Sequence, residues 1–164
     1  MLIRQIFISP GHNYFGHHGA APDDFPLDEV NRIECVADRG IRGDRFFDYR
    51  TNYKGQITFF SQEVFDGLCA AFPHVQKSIG VLRRNVIVSG VDLNALIGKD
   101  FVLQGVQFRG TAHCSPCYWL DRAFAPGAEE ALAGHGGLRA QILTDGWLAT
   151  GLAEVELQQR ELAV

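Results

Sequence analysis

Val81-Leu82-Arg83-Arg84-Asn85-Val86-Ile87-Val88-Ser89-Gly90 sets a pair of arginines at the mouth of a short apolar strand. Runs of the same kind recur at residues 2–9, 31–38, 56–60, 85–89, 101–109, 140–144 and 153–158, rich in Val, Ile and Phe and divided by Gly, Asp and Pro. Helical periodicity is clear in one place, Ser61 to Phe72, where Val64, Phe65, Leu68 and Phe72 share a face and Ser61 is a capping residue. A second helix is expected through Tyr118 to Phe124. A short third one runs from Ala128 to Ala133, after Pro126-Gly127 and before Gly134. Strands and helices do not alternate regularly, so a doubly wound parallel sheet is not indicated. The expected architecture is mainly β, a barrel with a few short helices packed on it.

The chain has 164 residues, 46% of them hydrophobic, which suits one domain over residues 1–164 with a sizeable core. A formal charge of -4 and the lack of a basic block give no electrostatic reason to expect nucleic acid or an anionic membrane as a partner. Met1-Leu2-Ile3-Arg4-Gln5-Ile6-Phe7-Ile8 interleaves polar and apolar residues and reads as a first strand, not as a signal peptide. The expected location is therefore cytoplasmic. Residues 10–28 form a long Gly- and Pro-rich connection, and loops of that length are usually functional or mobile. Its His12, His17 and His18 are either part of a polar loop or a loop metal site.

Five segments have residue types suited to chemistry. Of the four cysteines, Cys35 and Cys69 lie in strand-like and helix-like runs and read as small core residues. Cys114 and Cys117 differ, because Thr111-Ala112-His113-Cys114-Ser115-Pro116-Cys117 is short and polar. A working cysteine acts as a thiolate and needs exposure and nearby positive charge, which His113, Arg122 and the start of a helix after Cys117 can supply. The same pair is compatible with thiol-disulfide exchange, with structural zinc held together with His113 and His135, or with a chance spacing. Arg83-Arg84 can hold a phosphate or carboxylate through a planar fork, or can be solvated surface. Arg39-Gly40-Ile41-Arg42-Gly43-Asp44-Arg45 places three arginines at a turn, for an anion or for salt bridges to Asp44 or Asp38. Lys54-Gly55-Gln56 sets a cation and an amide beside a permissive glycine, and His135-Gly136-Gly137-Leu138-Arg139-Ala140 is a helix stop followed by a strand.

Taken in order, these segments resemble the MOSC family, named after the C-terminal domain of molybdenum-cofactor sulfurases. The similarity runs through Gly40-Ile41-Arg42-Gly43-Asp44-Arg45, Gln56-Ile57-Thr58-Phe59-Phe60-Ser61, Arg84-Asn85-Val86-Ile87-Val88-Ser89-Gly90-Val91-Asp92-Leu93, Cys114-Ser115-Pro116-Cys117 and Gly137-Leu138-Arg139-Ala140. It covers residues 30 to 158 or so. The resemblance implies a β-barrel that binds a pyranopterin molybdenum cofactor or handles its sulfur. Cys117 matches the family's key cysteine, which ligates molybdenum or carries a persulfide, and Arg83 matches an arginine that contacts the pterin phosphate. Lys54, Gln56 and Asn85 fall near other cofactor-contacting positions, as do Arg45 and Arg139 within their motifs, while the role of Cys114 is open. The activity implied is reductive removal of oxygen from N-hydroxylated compounds, or sulfur transfer with a desulfurase or redox protein as partner. Pyridoxal phosphate is associated with the family only through a fused desulfurase domain, and no lysine here has a Schiff-base context. Two departures stand out. Gly151-Leu152 replaces the usual Gly-Asp of the last hairpin, and the N-terminal β-rich domain of the mitochondrial amidoxime-reducing relatives is not among these residues.

Overall fold

In a computed structural model, which describes residues 1–17 and 19–158, the apolar runs become strands of a mainly β structure. The chain begins with β1 (Leu2–Ile8), β2 (Asp28–Val30), β3 (Arg32–Val36), β4 (Gly40–Ile41) and β5 (Ile57–Ser61), followed by helix α1 (Gln62–Ala71). After a 3-10 turn at Ile79–Leu82 come β6 (Val86–Ser89), β7 (Asp100–Leu103) and β8 (Val106–His113). Two short helices, α2 (Trp119–Ala123) and α3 (Ala128–Ala131), precede β9 (Leu138–Ile142), β10 (Gly146–Ala149), β11 (Gly151–Leu152) and β12 (Val155–Gln158).

Three helices lie where the sequence predicts them. Ser61 caps α1, its Oγ accepting from the Val64 amide at 3.3 Å. The run at 101–109 is not one strand but a hairpin. Gln104 and Gly105 both take positive φ, as a tight two-residue turn requires, and Leu103 pairs with Val106 across it. The expected strand at 140–144 starts earlier, at Leu138, and β2, β4 and β10 had no sequence signal.

The larger sheet runs β11-β1-β6-β5-β9-β8-β7-β12, with β2 added on β1; β10-β3-β4 form a second sheet. The expected barrel does not close, because β11 and β12 stand at opposite ends of this path with no pairing between them. Yet Leu152 and Val155, in those two end strands, are separated only by Ala153 and Glu154. Three residue steps span at most about 10 Å, so the sheet must roll until its ends approach. Bulges in β1, between Ile3 and Gln5, and in β8, between Gly110 and Ala112, assist that curvature. The seam is crossed by the covalent chain and not by a ladder.

Central strands are buried on both faces, which is why Ile57-Thr58-Phe59-Phe60 and Val86-Ile87-Val88 are nearly unbroken apolar runs. Phe59, Val86 and Val88 enter a core shared with Ile33, Cys35 and Leu148 of the smaller sheet, whereas Phe60 and Ile87 face a second core under α1, α2 and α3. Cys35 is fully buried, and Cys69 is half-buried against the helical side, in line with their reading as packing residues. Among the described residues, β5 and β6 pair in parallel around α1 in a sheet whose other strand pairs are antiparallel. Their ends carry Thr58 and Asn85, which form the floor of the site.

Candidate functional site

A cavity of about 550 Å³ opens between the 10–28 connection, the 3-10 turn and the segment leading into α2. Arg45, Arg83, Arg84, Arg139, Cys114 and Cys117 line it together, although they come from four separate parts of the sequence.

Each arginine is held differently. Arg83 ends the 3-10 turn in a left-handed conformation, φ 51°, an uncommon state for a residue with a side chain. Its carbonyl accepts from Arg45 Nη2 at 2.9 Å, and its own Nη2 donates to Ser9 Oγ at 2.6 Å and to the Gly11 carbonyl at 2.9 Å. Arg83 thus fastens the start of the long connection to the cavity. Arg84 turns the other way, with Nε donating to the Gly136 carbonyl at 3.0 Å and Nη1 to that of Leu82 at 3.0 Å. Arg45 is nearly buried and pairs with Asp44 at 3.2 Å; burial pulls its pKa below the ordinary guanidinium value, with Asp44 opposing. Burial, and then the charge of Arg45, act on Arg83 in the same direction. The other two arginines of the Arg39–Arg45 turn face solvent, Arg39 bridging Asp48 and Arg42 bridging Glu34.

Asp44 is the hub of the floor. Its Oδ1 accepts from the Ser9 amide at 3.1 Å, from Asn85 Nδ2 at 3.2 Å and from Arg45, while Oδ2 accepts from the Phe46 amide at 3.2 Å. Asn85 was expected to contact a cofactor, but it is buried beneath the cavity and does not line it. Its Oδ1 accepts from Thr58 N at 3.1 Å and Thr58 Oγ1 at 2.9 Å, and its Nδ2 also donates to the Phe7 carbonyl at 3.2 Å. These bonds tie β1, β5 and β6 together. Gln56 is likewise buried and outside the lining, donating to the Asp38 carbonyl at 2.7 Å and accepting from the Ile142 amide at 2.8 Å. Lys54 is exposed and outside the lining, between Tyr53 and Gly55, which are in it.

The two cysteines have unlike settings. Cys114 is buried, and its amide donates to the Gly137 carbonyl at 2.8 Å; Cys117 is exposed, and its carbonyl accepts from the Leu120 amide at 2.9 Å, opening α2. Residues 114–117 form neither turn nor bend. Among the described residues no group of three or more His, Cys, Asp or Glu is placed to hold a metal, which counts against zinc at Cys114, Cys117, His113 and His135. In the long connection His17 pairs with Asp23 at 3.0 Å, while His18 lies outside the described residues.

Sequence reasoning missed the aromatic walls. The His12 ring meets the edge of Phe46 at 4.7 Å, Phe46 stacks with Tyr53 at 5.2 Å, and Tyr14 lies 4.9 Å from Trp119 on the facing side. Burial, then the charge of Arg45, hold His12 below its ordinary pKa, so it stands among these rings as a neutral imidazole at neutral pH. The available signal was aromatic density in stretches without strand or helix periodicity: Tyr14-Phe15, Phe46-Phe47, Tyr49 and Tyr53.

Exposure predicts an order of thiol reactivity. Limiting iodoacetamide on the native protein should modify Cys117 first, and peptide mass spectrometry should find Cys35 unmodified, because burial pushes that thiol up to about 12. Labelling of Cys35 at a rate comparable with Cys117 would contradict the structure.

A family model described as MOSC domain matches residues 17–161. Among solved structures, the YuaD protein from Bacillus subtilis superposes with a TM-score of 0.72 at 19% identity, covering 95% of this chain and 94% of that one. YiiM from Geobacillus stearothermophilus gives 0.68 at 15% identity (99% and 77% covered), and YiiM from Escherichia coli 0.67 at 16% (98% and 71%). A search of curated proteins finds no match. At those identities the structures establish a shared fold, and the family model extends over nearly all of the same residues: the chain belongs to the MOSC domain family.

Proposed function

We propose that the cavity binds a molybdenum–pyranopterin cofactor, with the Cys117 sulfur as the protein's ligand to the metal. The observation that carries this reading is the convergence of Cys117 with four arginines in one cavity of about 550 Å³, a volume within the usual range for cofactor sites. The donor set fits the group: thiolate suits a soft metal centre, planar guanidinium groups suit phosphate, and stacked aromatic walls suit a flat pterin. When bound, the cofactor would supply two-electron redox chemistry at its metal. Cys117 is exposed at the rim, where a soft ligand is accessible. Arg83 can exchange its bonds to Ser9 and Gly11 for phosphate oxygens, and Arg45 and Arg84 add charge beside it. The rings of Tyr14, Phe46 and Trp119 limit water in the space between. The reaction assigned is reductive removal of oxygen from an N-hydroxylated compound, in the cytoplasm, with electrons from a partner redox protein. Among the described residues no helix is long and apolar enough to cross a membrane.

The exposure of Cys117 also favours a second role as sulfur carrier. Its thiolate would attack the outer sulfur of a desulfurase persulfide, forming a new S–S bond while the donor cysteine leaves as thiolate.

Reconstitution with the cofactor followed by metal analysis tests the main reading. The wild type should retain molybdenum, and Cys117→Ser should retain about tenfold less or lower, since a soft ligand is replaced by a hard one. Equal molybdenum in both proteins would remove Cys117 as ligand. Persulfide on Cys117 after incubation with a desulfurase and cysteine, with no molybdenum retained, would transfer the assignment to the carrier role.

A further inference from the structure

Arg45, Arg83 and Arg84 all donate to protein oxygens, but the Arg139 guanidinium has no hydrogen bond or ion pair to another described residue, and neither does the Tyr53 hydroxyl. Both line the cavity. Arg139 is the second residue of β9, paired with Thr58 of β5 and with Ala112 of β8, two residues before Cys114. β9 lies two strands from β6, about 10 Å at ordinary strand spacing, while Arg83 precedes β6 and is tied to the long connection. Arg139 therefore stands toward the thiols and away from Arg83.

Thr111 Oγ1 bridges the carbonyls of Lys54 and Arg139, which holds the backbone next to Tyr53 against β9. The Tyr53 ring stacks on Phe46 at 5.2 Å with planes 24° apart and meets Tyr49 edge-on at 4.9 Å. Gly55 makes the remaining side of this socket, since a Cβ there would lie 3.2–3.3 Å from the Tyr53 ring and hydroxyl oxygen. Burial raises the Tyr53 pKa, with the charge of Arg139 opposing, and the hydroxyl stays a proton-bearing donor. A half-buried guanidinium and a half-buried phenol with unused donors, in an aromatic-walled cavity, make a receptor for an anionic oxygen.

We propose that Arg139 and Tyr53 form an anion subsite at the thiol end of the cavity, selecting substrates that join a flat ring to a carboxylate. Arg139 grips the carboxylate through its fork, Tyr53 adds a neutral hydrogen bond, and the aromatic wall packs against the ring. The substrate role rests on the cavity being the reaction site proposed above, but binding of the anion does not depend on molybdenum.

Titration calorimetry on the full chain, as purified and after cofactor loading, compares benzoate with its neutral isostere benzamide. Benzoate should bind at least about tenfold more tightly than benzamide, as expected for a charge-assisted hydrogen bond. Arg139→Gln should abolish that preference, Arg139→Lys should keep about a third of it or less because the fork is lost, and Tyr53→Phe should weaken benzoate about threefold to tenfold. All three should leave benzamide within about twofold, since the walls are unchanged. Equal binding of benzoate and benzamide by the wild type, or a full preference in Arg139→Gln, overturns the subsite. If Arg139→Gln does not fold, an undiminished preference in Arg139→Lys together with Tyr53→Phe overturns it. A wild type that retains molybdenum but does not prefer benzoate sinks the subsite alone; a wild type that prefers benzoate but retains no molybdenum supports the subsite and sinks the cofactor reading.

Discussion

Asp44→Ala is expected to lose roughly 3–5 kcal/mol of folding stability, the usual consequence of removing one partner of a buried ion pair. Asp44 is 5% exposed, and its two oxygens serve the amides of Ser9 and Phe46, the side-chain amide of Asn85 and the guanidinium of Arg45. Without the carboxylate, Arg45 remains as an uncompensated charge with 7% of its side chain exposed, and three further donors lose an acceptor. Each buried donor left unsatisfied costs about 1–3 kcal/mol, so the estimate does not rest on the ion pair alone. Urea unfolding should show a lower midpoint with little change in slope, and Asp44→Asn should lie between the two because it keeps an acceptor oxygen. A loss under about 1 kcal/mol for Asp44→Ala would show that the floor is not organised around this carboxylate.

Gly136→Ala is expected to cost about 1–3 kcal/mol and to disturb the cysteines directly, because added core volume at a packed backbone forces a shift. A Cβ at Gly136 would lie 1.9 Å from the Cys114 carbonyl oxygen and 3.1 Å from Pro116 Cδ. Neither atom belongs to a flexible side chain. The Cys114 amide is bonded to Gly137, and the Gly136 carbonyl holds Arg84, so relief of the clash displaces either the thiol segment or an arginine of the cavity. The variant should melt lower and show an altered rate of Cys117 alkylation. Gly67→Ala is the control, since nothing lies within 4 Å of a Cβ there and alanine in an exposed helix position should stabilise α1 by roughly 0.5–1 kcal/mol. Equal and unchanged alkylation in both variants would show that Gly136 does not set the position of Cys117.

Much of the local architecture was legible without coordinates. Val64, Phe65, Leu68 and Phe72 marked α1, and Ser61 its cap, because helix period and capping depend on residues within a few positions of each other. Cys35 and Cys69 could be set apart from Cys114 and Cys117 on local context, and Arg83 and Arg139 were singled out from their motifs. The hairpin turn escaped because Gln104 is not a residue type that marks left-handed turns, so Phe101 to Arg109 read as one strand. Gln56 and Asn85 lie outside the cavity lining for a reason of a different kind. An amide next to a strand can face a ligand or a neighbouring strand, and only the pairing of β5 with β6 and β9 decides between them.

The sequence by itself determined a mainly β chain with three helices, the segments that resemble the MOSC family, and the cysteine most open to chemistry. Periodicity, caps and motifs are short-range properties, carried by residues close together along the chain. Tertiary structure alone decided that the rolled sheet stays open between β11 and β12, that Asp44 and Asn85 are the floor and not the lining, and that Tyr53 and Arg139 share one cavity. Those outcomes depend on strands distant in sequence finding their register, and on buried polar groups finding partners tens of residues away, which no local pattern specifies.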